Sequence, residues 1–299
     1  MKFQVDTELF PFESRFLKTA NGAEVHYVDE GEGTVILMLH GNPTWSFLYR
    51  KMIGKLRHRF RCIAVDYPGF GLSAAPAGYD FLPQSHSQVL IEVVETLNLD
   101  NFLLVMQDWG GPIGLALAER FPERVRGLIL GNTWAWPLKG QPKFERFSWL
   151  MGGPIGRWMA RSFNGVWRVF MEAGFVNPPS RRELAMYEAP FRQPTNRIQT
   201  AIFPRQLIKS EAFEAAVEAG LKTLADKPAL LLWGDRDMAF QDRELERFKT
   251  YFPNHSHHVL NASHFWQDDQ GEVAAAFTID WAQENGWIQV MPAGDAATC

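Results

Sequence analysis

The chain has 299 residues, 46% hydrophobic and 21% charged, close to soluble globular averages and unlike a disordered polymer, a collagen-like fibre or a small disulfide-stapled scaffold. Thirty Lys and Arg against 34 Asp and Glu leave a net charge of −4, so nucleic-acid binding, which needs a basic face to displace phosphate counterions, has no overall electrostatic support. At about 150 residues per domain, the length fits one large domain or two modest ones.

The first residues, Met-Lys-Phe-Gln-Val-Asp-Thr-Glu, mix charge and polarity without an apolar core segment, so no secretory signal is expected. Short apolar runs then recur at 24–29, 34–39, 62–66, 102–107, 125–130, 229–233 and 257–260, each ending in a polar or Gly-rich turn. Several lack strict alternation, as strands buried on both faces of a parallel sheet do. None approaches the ~20 residues that span a bilayer, and no membrane partner is expected. Helical patterns lie between them: 85–97 repeats Val89, Leu90, Val93, Val94 and Leu97 at the 3.6-residue period, and 111–120 and 243–251 read similarly. This order predicts a doubly wound α/β fold with right-handed crossovers.

The alternation breaks between about 133 and 221, a stretch without a convincing strand. It is dense in aromatics, Trp134, Trp136, Trp149, Trp158 and Trp167 among them, with Met151, Met159 and Met171 interspersed. It reads as a helical insertion over the end of the sheet, its rings mostly core and a few lining an apolar pocket. Its apolar content also admits a homo-oligomer. The tail 291–299 is small and polar and reads as disordered. Only Cys62 and Cys299 are present; no bridge between them is expected, in keeping with a reducing, cytoplasmic setting.

The most informative segment is Leu103-Leu-Val-Met-Gln-Asp-Trp-Gly-Gly-Pro112. An apolar strand runs into Asp108, two glycines follow and a helix begins, the layout of the nucleophile elbow of α/β-hydrolases. The helix N-terminus favours negative charge there. An N-cap aspartate is the plain structural alternative. Where serine is usual, a carboxylate changes the chemistry. Already ionised at pH 7, it is a poor acyl-transfer catalyst but a workable nucleophile towards an sp³ carbon bearing a leaving group. Displacement leaves an ester that base-activated water must hydrolyse.

In this fold the order along the chain is nucleophile, acid, histidine. His264, in Leu260-Asn-Ala-Ser-His-Phe-Trp266, follows the last predicted strand and is the candidate base. His40 occupies a comparable loop but belongs to another motif, and His255, His257 and His258 read as solvated. The orienting acid should follow the preceding strand, where Ala229-Leu-Leu-Leu-Trp-Gly-Asp-Arg-Asp237 offers Asp235 and Asp237; Asp237 is favoured, with Asp235 as turn residue. The His40-Gly-Asn42 turn normally supplies one backbone N–H to an oxyanion hole, the residue after the nucleophile the other. Those residues, Asn42 and Trp109, also carry neutral side-chain N–H donors suited to a departing halide. No His and carboxylate spacing suggests a metal site.

The motifs His40-Gly-Asn-Pro-Thr-Trp-Ser-Phe47, Asp66-Tyr-Pro-Gly-Phe-Gly-Leu-Ser73 and Gln107-Asp-Trp-Gly-Gly-Pro112 resemble those of the haloalkane dehalogenases, across essentially the whole chain. The resemblance implies an α/β-hydrolase fold: a mostly parallel doubly wound sheet, main domain 1–133 and 222–299, with a helical cap, 134–221, inserted after the sixth strand. It implies Asp108 as nucleophile, His264 as base, and Asn42 with Trp109 as halide-holding donors. Some branches place the triad acid after the sixth strand; here that position is Asn132, which supports Asp237. The expected reaction converts a small apolar halogenated substrate and water to alcohol and halide, with no cofactor or metal. One departure is Met106, bulky where hydrolase elbows often keep a small residue.

An epoxide hydrolase shares fold and nucleophile but resembles enzymes that use lid tyrosines, usually two, whereas the insertion holds only Tyr187. A fluoroacetate-type dehalogenase would want a cationic clamp where Trp109 stands. A catalytically silent, luciferase-like or binding relative would not require nucleophile, base and acid together.

Overall fold

A computed structural model describes residues 3–289; the tail and Cys299 lie outside them. Eight strands, β1 (Arg15–Lys18), β2 (Glu24–Glu30), β3 (Val35–Leu39), β4 (Arg61–Val65), β5 (Phe102–Asp108), β6 (Val125–Thr133), β7 (Ala229–Gly234) and β8 (His255–Leu260), form one sheet in the order β1-β2-β4-β3-β5-β6-β7-β8. β2 runs antiparallel to β1 and β4, and every other pairing is parallel. The seven predicted strands are all present. β1 was not legible: its exposed flanks bury only Leu17, as an edge strand can. The central strands β3 and β5 are buried on both faces, which is why their sequences do not alternate.

Helices α1 (Arg50–Leu56), α2 (Pro83–Thr96) and α3 (Gly110–Arg120) precede β6. Six more, α4 (Pro142–Gly152), α5 (Pro154–Phe163), α6 (Gly165–Ala173), α7 (Arg181–Glu188), α8 (Ile198–Lys209) and α9 (Glu211–Gly220), fill the interval between β6 and β7, where no strand occurs. α10 (Asp242–Tyr251), α11 (Trp266–Asp269) and α12 (Gly271–Glu284) are the last helices among the described residues. Among the described residues no helix is long and apolar enough to cross a membrane, and Cys62 is buried and free.

The inserted segment between β6 and β7 divides its aromatics sharply. Trp134 and Trp136 are fully buried, whereas Trp149 and Trp158 are 78% and 58% exposed. α5 buries only its small residues, Gly156 and Ala160, and so turns Ile155, Trp158 and Met159 outward. The clustered histidines of β8 are not uniformly solvated as expected. Only His257 is exposed, while His258 stacks on Phe277 at 3.7 Å and His255 Nδ1 bonds the Phe252 carbonyl at 2.7 Å.

A buried ionic cluster ties α7 to the sheet-bearing body. The Arg50 guanidinium donates to Asp268 at 2.8 Å and Glu183 at 2.6 Å, and Tyr187 Oη donates to the same Asp268 at 2.6 Å. Burial alone would raise the Asp268 carboxyl; Arg50 and Lys51 hold it below the usual range. Replacing Asp268 by alanine leaves the buried Arg50 with Glu183 as its remaining carboxylate and takes the acceptor from the buried Tyr187 hydroxyl, and the expected loss is about 3 kcal/mol of unfolding free energy, measured by urea denaturation.

Candidate active site

The site gathers at the carboxyl ends of β3, β5, β7 and β8, the side of a parallel sheet where loops are free to converge. Asp108 ends β5 with φ +49°, a left-handed conformation costly for a residue with a Cβ. The turn is held by close packing. A Cβ on Gly110 would lie 2.3 Å from the Leu39 carbonyl oxygen, and one on Gly111 would lie 1.8 Å from Thr133 Oγ1. Thr133 Oγ1 donates to the Asp108 carbonyl at 2.6 Å. Met106 is accommodated because Gly114 faces it from α3; a Cβ there would come within 2.7 Å of its sulfur.

This elbow lifts the Asp108 carboxylate into a cavity of about 380 Å³. The Asn42 backbone N–H donates to Asp108 Oδ1 at 2.7 Å, as the His-Gly turn suggested. Oδ2 lies 3.6 Å from His264 Nε2. On the other side of the ring, His264 Nδ1 meets Asp237 Oδ2 at 2.9 Å, with both residues buried. Asp235 is exposed, so Asp237 is the acid in reach. Asn132 clamps β6 to β7, donating to the Gly234 and Phe240 carbonyls and accepting from the Gly234 N–H. Burial works to lower the His264 pKa, but the charges and hydrogen bonds of Asp237 and Asp108 outweigh it and raise the imidazole to about 10.

Trp109 and Asn42 both border the cavity. Trp109 is fixed edge-on against Trp134, ring centroids 4.7 Å apart, and Phe203, 5.0 Å apart. Neither its indole N–H nor the Asn42 carboxamide has a protein partner among the described residues. Phe144, Phe147, Phe170 and Leu207 from the inserted helices and Phe240 from the β7–α10 loop make the rest of the wall apolar. Exposed Lys143, Arg146, Leu150, Val169 and Met238 form its rim. The Lys143 ammonium bonds the Ala239 carbonyl at 2.7 Å and leaves Asp108 unpaired by any lysine.

The five expected site residues therefore converge on one cavity. His40 does not join them: its Nδ1 bonds the Gly41 carbonyl at 2.8 Å and its Nε2 accepts the Tyr67 N–H at 3.3 Å, a fully used neutral tautomer. Tyr187 also stays out, committed to Asp268. Two contributors escaped the sequence reading. Thr133 braces the elbow, and Gln107 turns its amide onto His264, with Nε2 3.0 Å from the ring nitrogen. Alternation along a strand puts Gln107 on the face opposite Asp108, and only the twist of the elbow returns it to the site.

The model of the alpha/beta hydrolase fold family matches residues 34–270. Haloalkane dehalogenase 2 of Mycobacterium tuberculosis is 41% identical over 281 residues, covering 93% of this chain and 98% of that protein. A cis-3-alkyl-4-alkyloxetan-2-one decarboxylase of Shewanella oneidensis is 31% identical, covering 88% and 86%. The crystal structure of a putative ancestral haloalkane dehalogenase superposes with a TM-score of 0.83 at 28% identity, covering 90% of this chain and 98% of that one. The family model places this chain in the α/β-hydrolase fold family, and its 41% identity over nearly the whole of the Mycobacterium protein places it, within that family, among the haloalkane dehalogenases.

Proposed function

We propose that the protein hydrolyses the carbon–halogen bond of small apolar haloalkanes, giving alcohol and halide. The observation that carries this is the Asp108 carboxylate, standing in an apolar cavity between a histidine–aspartate pair and two uncharged N–H donors. Asp108 Oδ2 attacks the halogen-bearing carbon and the carbon–halogen bond breaks, with the halide received by the Asn42 carboxamide and the Trp109 indole. Oδ1, held by the Asn42 backbone N–H, becomes the ester carbonyl oxygen. Ester formation also removes one negative charge from beside His264, lowering its proton affinity when a base is needed. Water attacks the ester carbon and yields its proton to His264, Asp237 stabilises the imidazolium, and the alcohol departs.

The division into a main domain, 1–133 and 222–299, and a cap, 134–221, fits this reading, because the inserted helices supply much of the apolar wall and the rim. Removing either leaving-group donor, Asn42→Ala or Trp109→Phe, is expected to cost about 3 kcal/mol of barrier, a loss on the order of 10²-fold in kcat measured by halide release. A panel of mono- and dihalogenated alkanes, assayed beside an epoxide and an alkyl oxetanone, tests the assignment. Halide release with the other two inert supports it. Turnover of the oxetanone alone favours the chemistry named for the Shewanella relative.

The outward apolar residues Trp149, Ile155 and Trp158 support self-association of the cap. Sedimentation velocity at rising concentration is expected to show species larger than the 34.1 kDa monomer, lost in Trp158→Glu. The reading as a cytoplasmic protein rests on the low cysteine content and the buried free thiol of Cys62.

A further inference from the structure

Gln107 is fully buried beside the nucleophile, and none of the steps above uses it. Its Nε2 lies 3.0 Å from His264 Nε2 and 3.1 Å from the His264 carbonyl oxygen. A carbonyl oxygen can only accept, so the amide atom facing it must be the nitrogen; the rotated amide would set oxygen against oxygen. The same nitrogen therefore directs an N–H at the imidazole, and this contact becomes a hydrogen bond only when Nε2 is unprotonated and offers its lone pair. Asp237, bonded to Nδ1 at 2.9 Å, favours the same tautomer from the opposite side. Gln107 Oε1 is buried without a partner. An apolar side chain of similar length would avoid that cost, so packing alone does not explain an amide here.

Two opposing influences meet at His264 Nε2. The Asp108 carboxylate, 3.6 Å away, favours a proton on it, and the Gln107 N–H favours a free lone pair. Asp108 and Asp237 are the titratable groups facing the ring among the described residues; Phe170, Phe240 and Phe265 supply its other neighbours. Alkylation makes Asp108 a neutral ester and leaves Gln107 unchanged.

We propose that Gln107 is a positioning residue for ester hydrolysis, holding His264 Nε2 as a hydrogen-bond acceptor once Asp108 is alkylated. This rests on the reading of His264 as the base. The imidazole proton leaves to solvent after the halide forms. In the second step a water O–H bond breaks, its oxygen bonds to the ester carbon and its proton returns to Nε2; the bond from that carbon to the alkyl oxygen then breaks, and the alkyl oxygen takes the second water proton and leaves as alcohol. The resting pair of carboxylate and imidazolium is thereby restored. A hydrogen bond donated to the neutral form lowers the pKa of a base, so losing it should delay deprotonation to higher pH.

The test compares Gln107→Met and Gln107→Glu with the unaltered enzyme in rapid-mixing experiments with a bromoalkane. Halide burst and ester hydrolysis are followed separately across pH, and intact mass reports the ester. In Gln107→Met, alkylation is expected to stay within about threefold. The hydrolysis limb should move up by about one pH unit, slowing hydrolysis about tenfold below it and restoring the rate above it. Gln107→Glu, which keeps the shape but replaces the donor by an anion, should move the limb further and serves alone if the methionine variant does not fold. An unmoved limb, or equal loss at every pH, overturns the proposal. His264→Phe separates the two readings. If it hydrolyses the ester normally, the base assignment itself fails. If it stalls while Gln107→Met keeps the original limb, only the role of Gln107 is lost.

Discussion

Asp108→Ala is expected to abolish halide release, a fall on the order of 10⁴-fold or more in kcat, with the protein still folded. The size follows from the site having no substitute. Asp237 is the other carboxylate in reach, and its Oδ2 and Oδ1 are engaged by His264 at 2.9 Å and by the Ala239 N–H at 2.7 Å. His264 would be left beside bound substrate with only water to activate, and water is a weak nucleophile towards an unactivated alkyl halide. Asp108→Asn keeps an acceptor for the Asn42 N–H but removes the charge, so it separates loss of the nucleophile from loss of the turn. Both variants should release halide no faster than buffer in an ion-selective or colorimetric assay, with unchanged far-ultraviolet dichroism. Substantial turnover by either would mean that water, not this carboxylate, displaces the halide.

His264→Phe should divide the reaction in two. Alkylation does not require the imidazole to accept a proton, so a stoichiometric burst of halide is expected, followed by arrest. The phenyl ring fits a place already walled by Phe170, centroid 5.6 Å from the imidazole, and Phe240, 6.1 Å away. The ester should then survive long enough to appear as an added alkyl mass on the peptide carrying Asp108. Loss of general-base assistance alone is worth about 10²–10⁴-fold in the hydrolytic step. Normal steady turnover would remove His264 from the mechanism.

The sheet was legible because its inner strands are buried on both faces and so are apolar in runs, as β7 and the stretch of β5 before Gln107 show. β1 offered one buried residue, and α12 builds its inner face largely from Ala274, Ala275 and Ala282, which leave little periodic signal. The grouping of Asp108, Asp237 and His264 was legible from chain order, and of the two neighbouring aspartates it is Asp237 that lies buried at the cavity while Asp235 is exposed. The insertion between β6 and β7 was legible only as helical. With Trp149 and Ile155 outward and Phe144, Phe147 and Phe170 on the cavity, apolarity no longer distinguishes inside from outside, and periodicity had nothing to follow. Gln107 was missed because its contact depends on the positive φ of its neighbour, a property no residue pattern in β5 announces.

Water enriched in heavy oxygen, supplied during a single turnover, addresses the covalent step most directly. If Asp108 forms the ester and water attacks its carbonyl carbon, the first alcohol released carries ordinary oxygen from the enzyme, and the heavy atom is recovered in the Asp108 peptide. Heavy oxygen in that first alcohol, with none in the peptide, contradicts an alkylated carboxylate and leaves direct attack by water in its place.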